Sequence, residues 1–368
     1  MDRWSLPGPA GFIAGVIEAL REGASVVVGA PLPSCAALAD ALEDRLAEEW
    51  RITGPLVPSG LAPIDELYSA LEVDDDPTSR RSVASLMASI EFKRLIIIRG
   101  IEMPQWPVWQ RFLDDYANAS RAIAAVDRTQ LLVITAGVPK VRLPKGAPAL
   151  IPLIWDGIVG EADVFSYVIQ AWRQRGRRVD AQAKLVARII TRLALWDFDL
   201  VDRMLDLDAR DLFDPMSAVR AAAVDMAALQ HLGAPWEGGG LAEFDGEQLE
   251  HSVVIVRGGD PHGELAMRLW AAQASEILPA LEISRRHLAK RMKDARMRLP
   301  VRLNDDVIHD LVDVEIGPLL HLAREHGLPK DIVRVAEKYS KLRNKLAHLC
   351  PLGADEALDA EVLSARRR

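Results

Sequence analysis

Arg343 and His348, near the end of the chain, are residue types that grip phosphate and move protons. They stand in the stretch KLRNKLAHLC (341–350) with four residues between them, and Asn344 directly follows the arginine. Imidazole is the side chain best poised to transfer protons near neutral pH. Guanidinium grips a phosphate through two parallel hydrogen bonds and stabilises developing negative charge. The pair suits a nuclease site or a ligand grip; the plain alternative is a polar stripe on a surface helix. Five helical steps of ~100° put the two side chains ~140° apart, so one helix does not bring them together. A composite site at the edge of a bundle, with Asn344 beside Arg343, fits the spacing better.

A second feature bears on what such a site would act upon. SRRHLAKRMKDARMR (284–298) sets Arg285, Arg286, Lys290, Arg291, Lys293, Arg296 and Arg298 against the single acid Asp294. With Arg334, Lys338, Lys341 and Lys345 these cations would form a positive surface beside Arg343 and His348 that attracts a phosphate backbone, here that of RNA, in a salt-dependent way. A solvated helix face explains the same residues equally well. Glu282, one turn ahead of Arg285 and Arg286, either orients an active-site arginine or balances charge. His321 and His326 are five apart, not the four that places two ligands on one helical face, so no metal site and no metal cofactor is expected.

Three helices must carry these residues. Residues 264–299 show an inner face of Leu265, Leu269, Ala272, Ile277, Leu281 and Leu288, with an interruption expected near Pro279. Residues 310–326 form a second helix, broken at Ile316-Gly317-Pro318, and 330–350 a third, closed by Pro351. Helices of this length with short joints make an antiparallel bundle.

LRNKLAH, set in that bundle, matches the R-x4-H motif of the HEPN superfamily, including the polar residue after the arginine. Residues 264–368 therefore resemble a HEPN helical bundle. The resemblance implies that two bundles pair, as a homodimer, so that two Arg–His sets form one cleft. It implies RNA cleavage without metal, with His348 acting on the 2′-hydroxyl proton, Arg343 holding the phosphate and Asn344 beside it. HEPN domains that only bind nucleotides or partner proteins share the motif, so a non-enzymatic adaptor within a larger NTP-dependent complex is the alternative.

Toward the N-terminus the grammar changes. ASVVVGAP (24–31), KRLIIIRG (93–100) and TQLLVITAG (129–137) read as buried strands, with helices at 11–22, 34–50 and 106–120. Strands alternating with helices make a parallel sheet covered by helices. A P-loop aligned after the first strand would have Gly29 as its first glycine, but Ser34 stands at the second, Cys35 at the lysine and Ala36 at the metal-binding hydroxyl. Pro31 and Pro33 remove two backbone N–H donors, and the loop lacks the charge and metal that phosphoryl transfer needs. Arg99 occupies the position of a magnesium-holding acid, which appears only at Glu102. In strand order and spacing, residues 1–160 resemble a STAND-type NTPase module that has lost its nucleotide chemistry. Proteins that join such a module to a C-terminal HEPN domain belong to prokaryotic conflict systems such as antiphage defence.

Between the two lies an expected helical connector, 161–263, similar in position to the helical or winged-helix segment that follows STAND cores. It has helices at 163–176, 180–207 and 215–233, a glycine-rich loop at 237–240 and a short strand at HSVVIV (251–256). Its cluster Arg173, Arg175, Arg177 and Arg178 reads as a solvated helix end. The expected whole is multidomain: an α/β degenerate P-loop-like domain, the connector and an all-α bundle. A net charge of -8 argues against wholesale coating of nucleic acid but leaves room for one local basic face. Two distant cysteines, Cys35 and Cys350, argue against disulfides and suit a cytoplasmic protein. No signal peptide, membrane span or cofactor is expected; a protein partner could dock on the N-terminal domain.

Overall fold

The computed structural model describes the chain except residues 1, 74–80, 90–94, 225, 227–231, 234, 296, 304–305 and 365–368. Two compact units emerge: residues 2–163 with 226–254, and 164–225 with 255–368. This division runs differently from the three segments read in the sequence. The helices at 164–225 pack with the C-terminal ones, while 226–254 returns to the sheet unit.

The sheet unit follows strand–helix alternation. Its elements are α1 (Pro7–Arg21), β1 (Ser25–Ala30), α2 (Cys35–Leu46), β2 (Ile52–Leu56), α3 (Pro63–Ala70), α4 (Val83–Ser89), β3 (Leu95–Glu102), α5 (Trp106–Ser120), β4 (Gln130–Ala136) and β5 (Leu150–Ile154). All five strands pair in parallel in the order β2-β3-β4-β1-β5. β2 and β5 escaped the sequence reading because ITGPL and LIPLI carry prolines that central strands avoid; both are edge strands, where proline is tolerated. Lys93 and Arg94, expected to open β3, lie outside the described residues.

Period-two alternation fixes the layers. Val26, Val28, Leu132 and Ile134 pack under α1 and α2 through Val16, Leu20, Leu38 and Leu42. Val27, Ile98, Leu131 and Val133 face the other way, onto Leu67, Leu86, Trp109 and Leu113 of α3, α4 and α5. Burial on both faces explains the unbroken apolar runs of β1 and β4.

A hairpin of β6 (Leu241–Phe244) and β7 (Glu247–Glu250) belongs to the same unit. Its turn, Asp245-Gly246, has positive φ at both residues (51° and 83°), the geometry that the Asp-Gly pair favours between two strands.

The helical unit is built from α6 (Glu161–Gln174, from Val164 onward), α7 (Ala181–Ala194), α8 (Phe198–Met204), α9 (Pro215–Ala223), α10 (Ser252–Gly258, from Ile255 onward), α11 (Glu264–Asp294), the short ribbon β8 (Val301–Leu303) and β9 (Asp306–Ile308), α12 (Ile316–Glu325) and α13 (Lys330–Ala347). Three sequence expectations are corrected here. The stretch 251–256 opens a helix, not a strand: His251 Nδ1 accepts the Val253 N–H at 3.2 Å, an N-cap that overrides the β-branched run. α11 continues for 31 residues through Pro279. The proline lies on the exposed side, where solvent can satisfy the Ser275 carbonyl, while Ile277, Ala280 and Leu281 stay buried. Ile316-Gly317-Pro318 starts α12 instead of breaking a helix, because a proline in the first turn forfeits only an N–H that has no helical partner.

One close approach generates a test. Gly8 in α1 donates its N–H to Asp163 Oδ1 at 3.2 Å, and a Cβ there would lie 2.0 Å from the Ile158 carbonyl oxygen. Glycine to alanine in an exposed helix stabilises by ~1 kcal/mol. Here Gly8→Ala is expected to destabilise by ~1–3 kcal/mol through overpacking, read as a lowered thermal midpoint; an unchanged or raised midpoint would contradict this packing.

Candidate functional site

Three segments of the helical unit converge on a pocket of about 290 Å³. α11 contributes Glu282 and Arg285, α13 contributes Tyr339 and Arg343, and Glu315 and Ile316 stand where α12 begins. Tyr339 and Arg343 are four residues apart, so they project from one helical face. Leu278, Leu281 and Ile316 make the apolar wall. Two of the residues proposed from sequence for chemistry, Arg343 and Glu282, are thus brought together.

The two arginines of the pocket are held differently. Arg285 is only 12% exposed and donates to the carbonyls of Val312 and Val314 at 2.6 and 2.7 Å and to Glu282 Oε2 at 2.9 Å. Those hydrogen bonds hold the Glu282 carboxyl below its ordinary value. Arg285 therefore ties α11 to the segment before α12, a structural task that charge counting could not distinguish from RNA contact. Arg343 is 43% exposed and among the described residues reaches only Glu315 Oε2, at 3.5 Å. An exposed pair at that distance contributes at most ~1 kcal/mol, so the guanidinium is available to a stronger anion. Burial pushes the Tyr339 phenol above its ordinary value, which keeps it neutral.

His348 does not line this pocket. It is the C-cap of α13, exposed, and its ring has no partner among the described residues. Asn344 is exposed on the last turn of the same helix. Within one chain the arginine lines the pocket and the histidine caps the end of the helix.

The other cations proposed as an RNA surface divide into two groups. Arg291 pairs with Asp331 at 2.5 Å, Lys293 with Asp310 at 2.7 Å, and Lys345 with Glu356 at 2.7 Å. Lys338 is held by Asp359 and Glu361, and Lys341 reaches Glu356. Arg286 stands 3.8 Å from Glu282, whereas Lys290, Arg298 and Arg334 are exposed and form no ion pair among the described residues. Arg296 lies outside the described residues. Acids distant in sequence neutralise much of a run that looks uniformly basic when read linearly. His321 and His326 form no metal cluster, and none is found among the described residues.

The second candidate, the loop at 29–36 that the sequence aligns with a P-loop, sits where β1 ends. The strand order changes direction at β1, and open parallel sheets bind ligands outside the carboxyl ends of strands at such a point. Here the chain fills that place itself. A Cβ on Gly239 would lie 2.9 Å from Pro33, and one on Gly137, after β4, would lie 3.0 Å from the Glu237 carbonyl oxygen. Lys140 Nζ lies 5.0 Å from the Trp236 ring centroid and pairs with Asp156, whose other oxygen accepts the Glu243 N–H at 2.9 Å. Ser34 makes no side-chain cap bond, and burial pushes the Cys35 thiol up from its ordinary value. Gly29 is packed against Leu143. Arg99 serves as an ion-pair partner of Asp40 at 2.7 Å and Glu43 at 3.5 Å on α2.

No family model and no curated protein matches the chain. Among solved structures, a chain of "Structure of Drosophila ORC bound to DNA" aligns over 96% of this chain and 97% of that one, at 12% identity and a TM-score of 0.31. A likeness of that size carries no argument. Among the described residues no helix is long and apolar enough to cross a membrane.

The filled crevice makes a simple prediction: the purified chain with ATP or GTP and magnesium releases no phosphate above buffer. Steady release that disappears in Gly29→Val would contradict it.

Proposed function

We infer that the C-terminal part of the chain is a HEPN-type, metal-independent RNA-cleaving domain, working as a two-fold pair in a defence-type effector. The observation that supports this reading most is the disposition of α13. It turns Arg343 toward a pocket, where a weak pair with Glu315 holds it, and leaves the His348 ring at its end without a partner among the described residues. A group without an internal partner is free to act on another molecule.

The chemistry needs no metal. His348 takes the proton from a ribose 2′-hydroxyl, and the 2′ oxygen attacks the adjacent phosphorus. The 5′ oxygen leaves and takes up a proton, giving a 2′,3′-cyclic phosphate. Arg343 neutralises the charge that builds on the non-bridging oxygens. Because Arg343 and His348 of one chain diverge, the working pair is Arg343 of one subunit and His348 of the partner subunit. The sheet unit, with its crevice filled by its own residues, serves as the regulatory or docking part and not as an NTPase.

A second reading, a non-enzymatic adaptor that binds a partner or nucleotide, is favoured by the pocket itself. Its apolar wall and charged rim suit a small ligand without calling on His348.

Three variants separate these readings. His348→Ala and Arg343→Ala are expected to lower RNA cleavage by ~10²–10⁴-fold, the usual worth of acid–base catalysis, with wild-type products ending in a cyclic phosphate and forming in the presence of a chelator. Glu315→Gln removes the carboxylate that competes for Arg343. It should tighten RNA binding by roughly 2- to 5-fold, the equivalent of an exposed ion pair. Motif variants that cut as fast as wild type would overturn the catalytic reading, and binding of a nucleotide lost in Arg343→Ala alone would favour the adaptor.

A further inference from the structure

His348 stands on a backbone turn that is held from outside. α13 ends in a Schellman arrangement: Leu349 N–H donates to the Leu346 carbonyl at 3.3 Å, and Cys350 N–H to the Lys345 carbonyl at 2.9 Å. The residue after the cap in such a turn is usually glycine, because it takes a left-handed backbone. Here it is Leu349, at φ 59°. Its side chain is 51% exposed, so burial does not compensate the strain. A left-handed leucine persists only where surrounding contacts over-determine it.

Those contacts come from α11. Trp270 Nε1 donates to the Leu346 carbonyl oxygen at 2.7 Å, on the helix side of the turn. Gln273, fully buried one turn further along, closes the other side twice. Its Nε2 donates to the Leu352 carbonyl oxygen at 2.8 Å, and its Oε1 accepts the Leu352 N–H at 2.7 Å. The reciprocal pair treats the side-chain amide as a peptide group and fixes the strand of chain leaving the turn. His348 thus lies between two pinned points, Leu346 and Leu352, with a strained residue next to it.

We propose that Trp270 and Gln273 are positioning residues for His348, holding the turn that aims its imidazole. This rests on the reading of His348 as the proton-transferring group. Neither residue touches the reacting atoms; each acts through the backbone that carries the ring. Rate depends steeply on such placement, since an error near 1 Å costs up to ~10²-fold.

The test uses the full chain and an end-labelled RNA of mixed sequence, with amide hydrogen exchange followed in parallel. Gln273→Met keeps the length of the side chain and removes its hydrogen bonds. It is expected to speed exchange at 346–353 and lower kcat by ~10- to 100-fold while KM stays within about twofold, the pattern of lost transition-state alignment. Leu349→Gly removes no polar contact and relieves the left-handed strain. It is expected to raise the thermal midpoint and, combined with Gln273→Met, to restore part of the lost kcat, because it favours the same turn without the glutamine's bonds. Wild-type kcat in Gln273→Met overturns the proposal, as does a Gln273→Met/Leu349→Gly double variant that gains stability but recovers no kcat. A wild-type chain that cuts no RNA instead overturns the reading of His348 on which the proposal stands.

Discussion

A carboxamide shut away from water must find all its partners inside the chain, because each unmade hydrogen bond costs ~1–3 kcal/mol. Gln273 meets this constraint with the backbone of Leu352 alone, donating and accepting at once. That bond pair fixes where the chain runs after α13, and Trp270 fixes where α13 stops. Three turns along, α11 carries Glu282 and Arg285 to the pocket that Arg343 lines. One uninterrupted helix thereby places both halves of the R-x4-H motif, the arginine through its pocket and the histidine through its turn. An interruption at Pro279 would have separated the two functions, which is why the continuity of α11 matters more than its composition.

The sheet unit answers to a different constraint. A parallel sheet leaves open the carboxyl ends of its strands, and some chemistry or some chain has to occupy them. In this protein residues 236–243 do so: Glu237 and Gly239 crowd Gly137 and Pro33, the Trp236 ring lies against Lys140, and Asp156 accepts the Glu243 N–H of the hairpin. Cys35, without the charge of a lysine, and the filled crevice agree with each other: the ends of these strands are packing surface.

Much of this was readable from residue order, and the failures have physical causes. Buried strands β1, β3 and β4 declared themselves through β-branched runs, and α1, α2, α5 and α13 through their spacing of apolar residues. The Asp245-Gly246 hairpin carried a usable turn signal that glycine richness masked. HSVVIV misled because propensity speaks for strand while a capping histidine, invisible without coordinates, decides for helix. At the candidate site, Arg343 and Glu282 were singled out from the sequence and the fold brings both to one pocket, and Tyr339 lay one helical turn from Arg343. Glu315 was not legible, since only folding brings it to Arg343. Gln273 left a faint trace: it stands in the stripe Leu269, Gln273, Ile277, Leu281, where every neighbour at that spacing is apolar. The basic run at 284–298 looked stronger than it is because its counter-charges Asp310 and Asp331 arrive from later in the chain.

The central claim is that Arg343 and His348 act together across two subunits. Mixing Arg343→Ala with His348→Ala chains under conditions that exchange subunits tests it most directly. Each variant alone should be inactive. In the mixed dimer one cleft regains an intact arginine and an intact histidine, so cleavage should return to roughly a quarter of wild type for random pairing. A mixture as inactive as its components, with subunit exchange verified, would contradict the composite site.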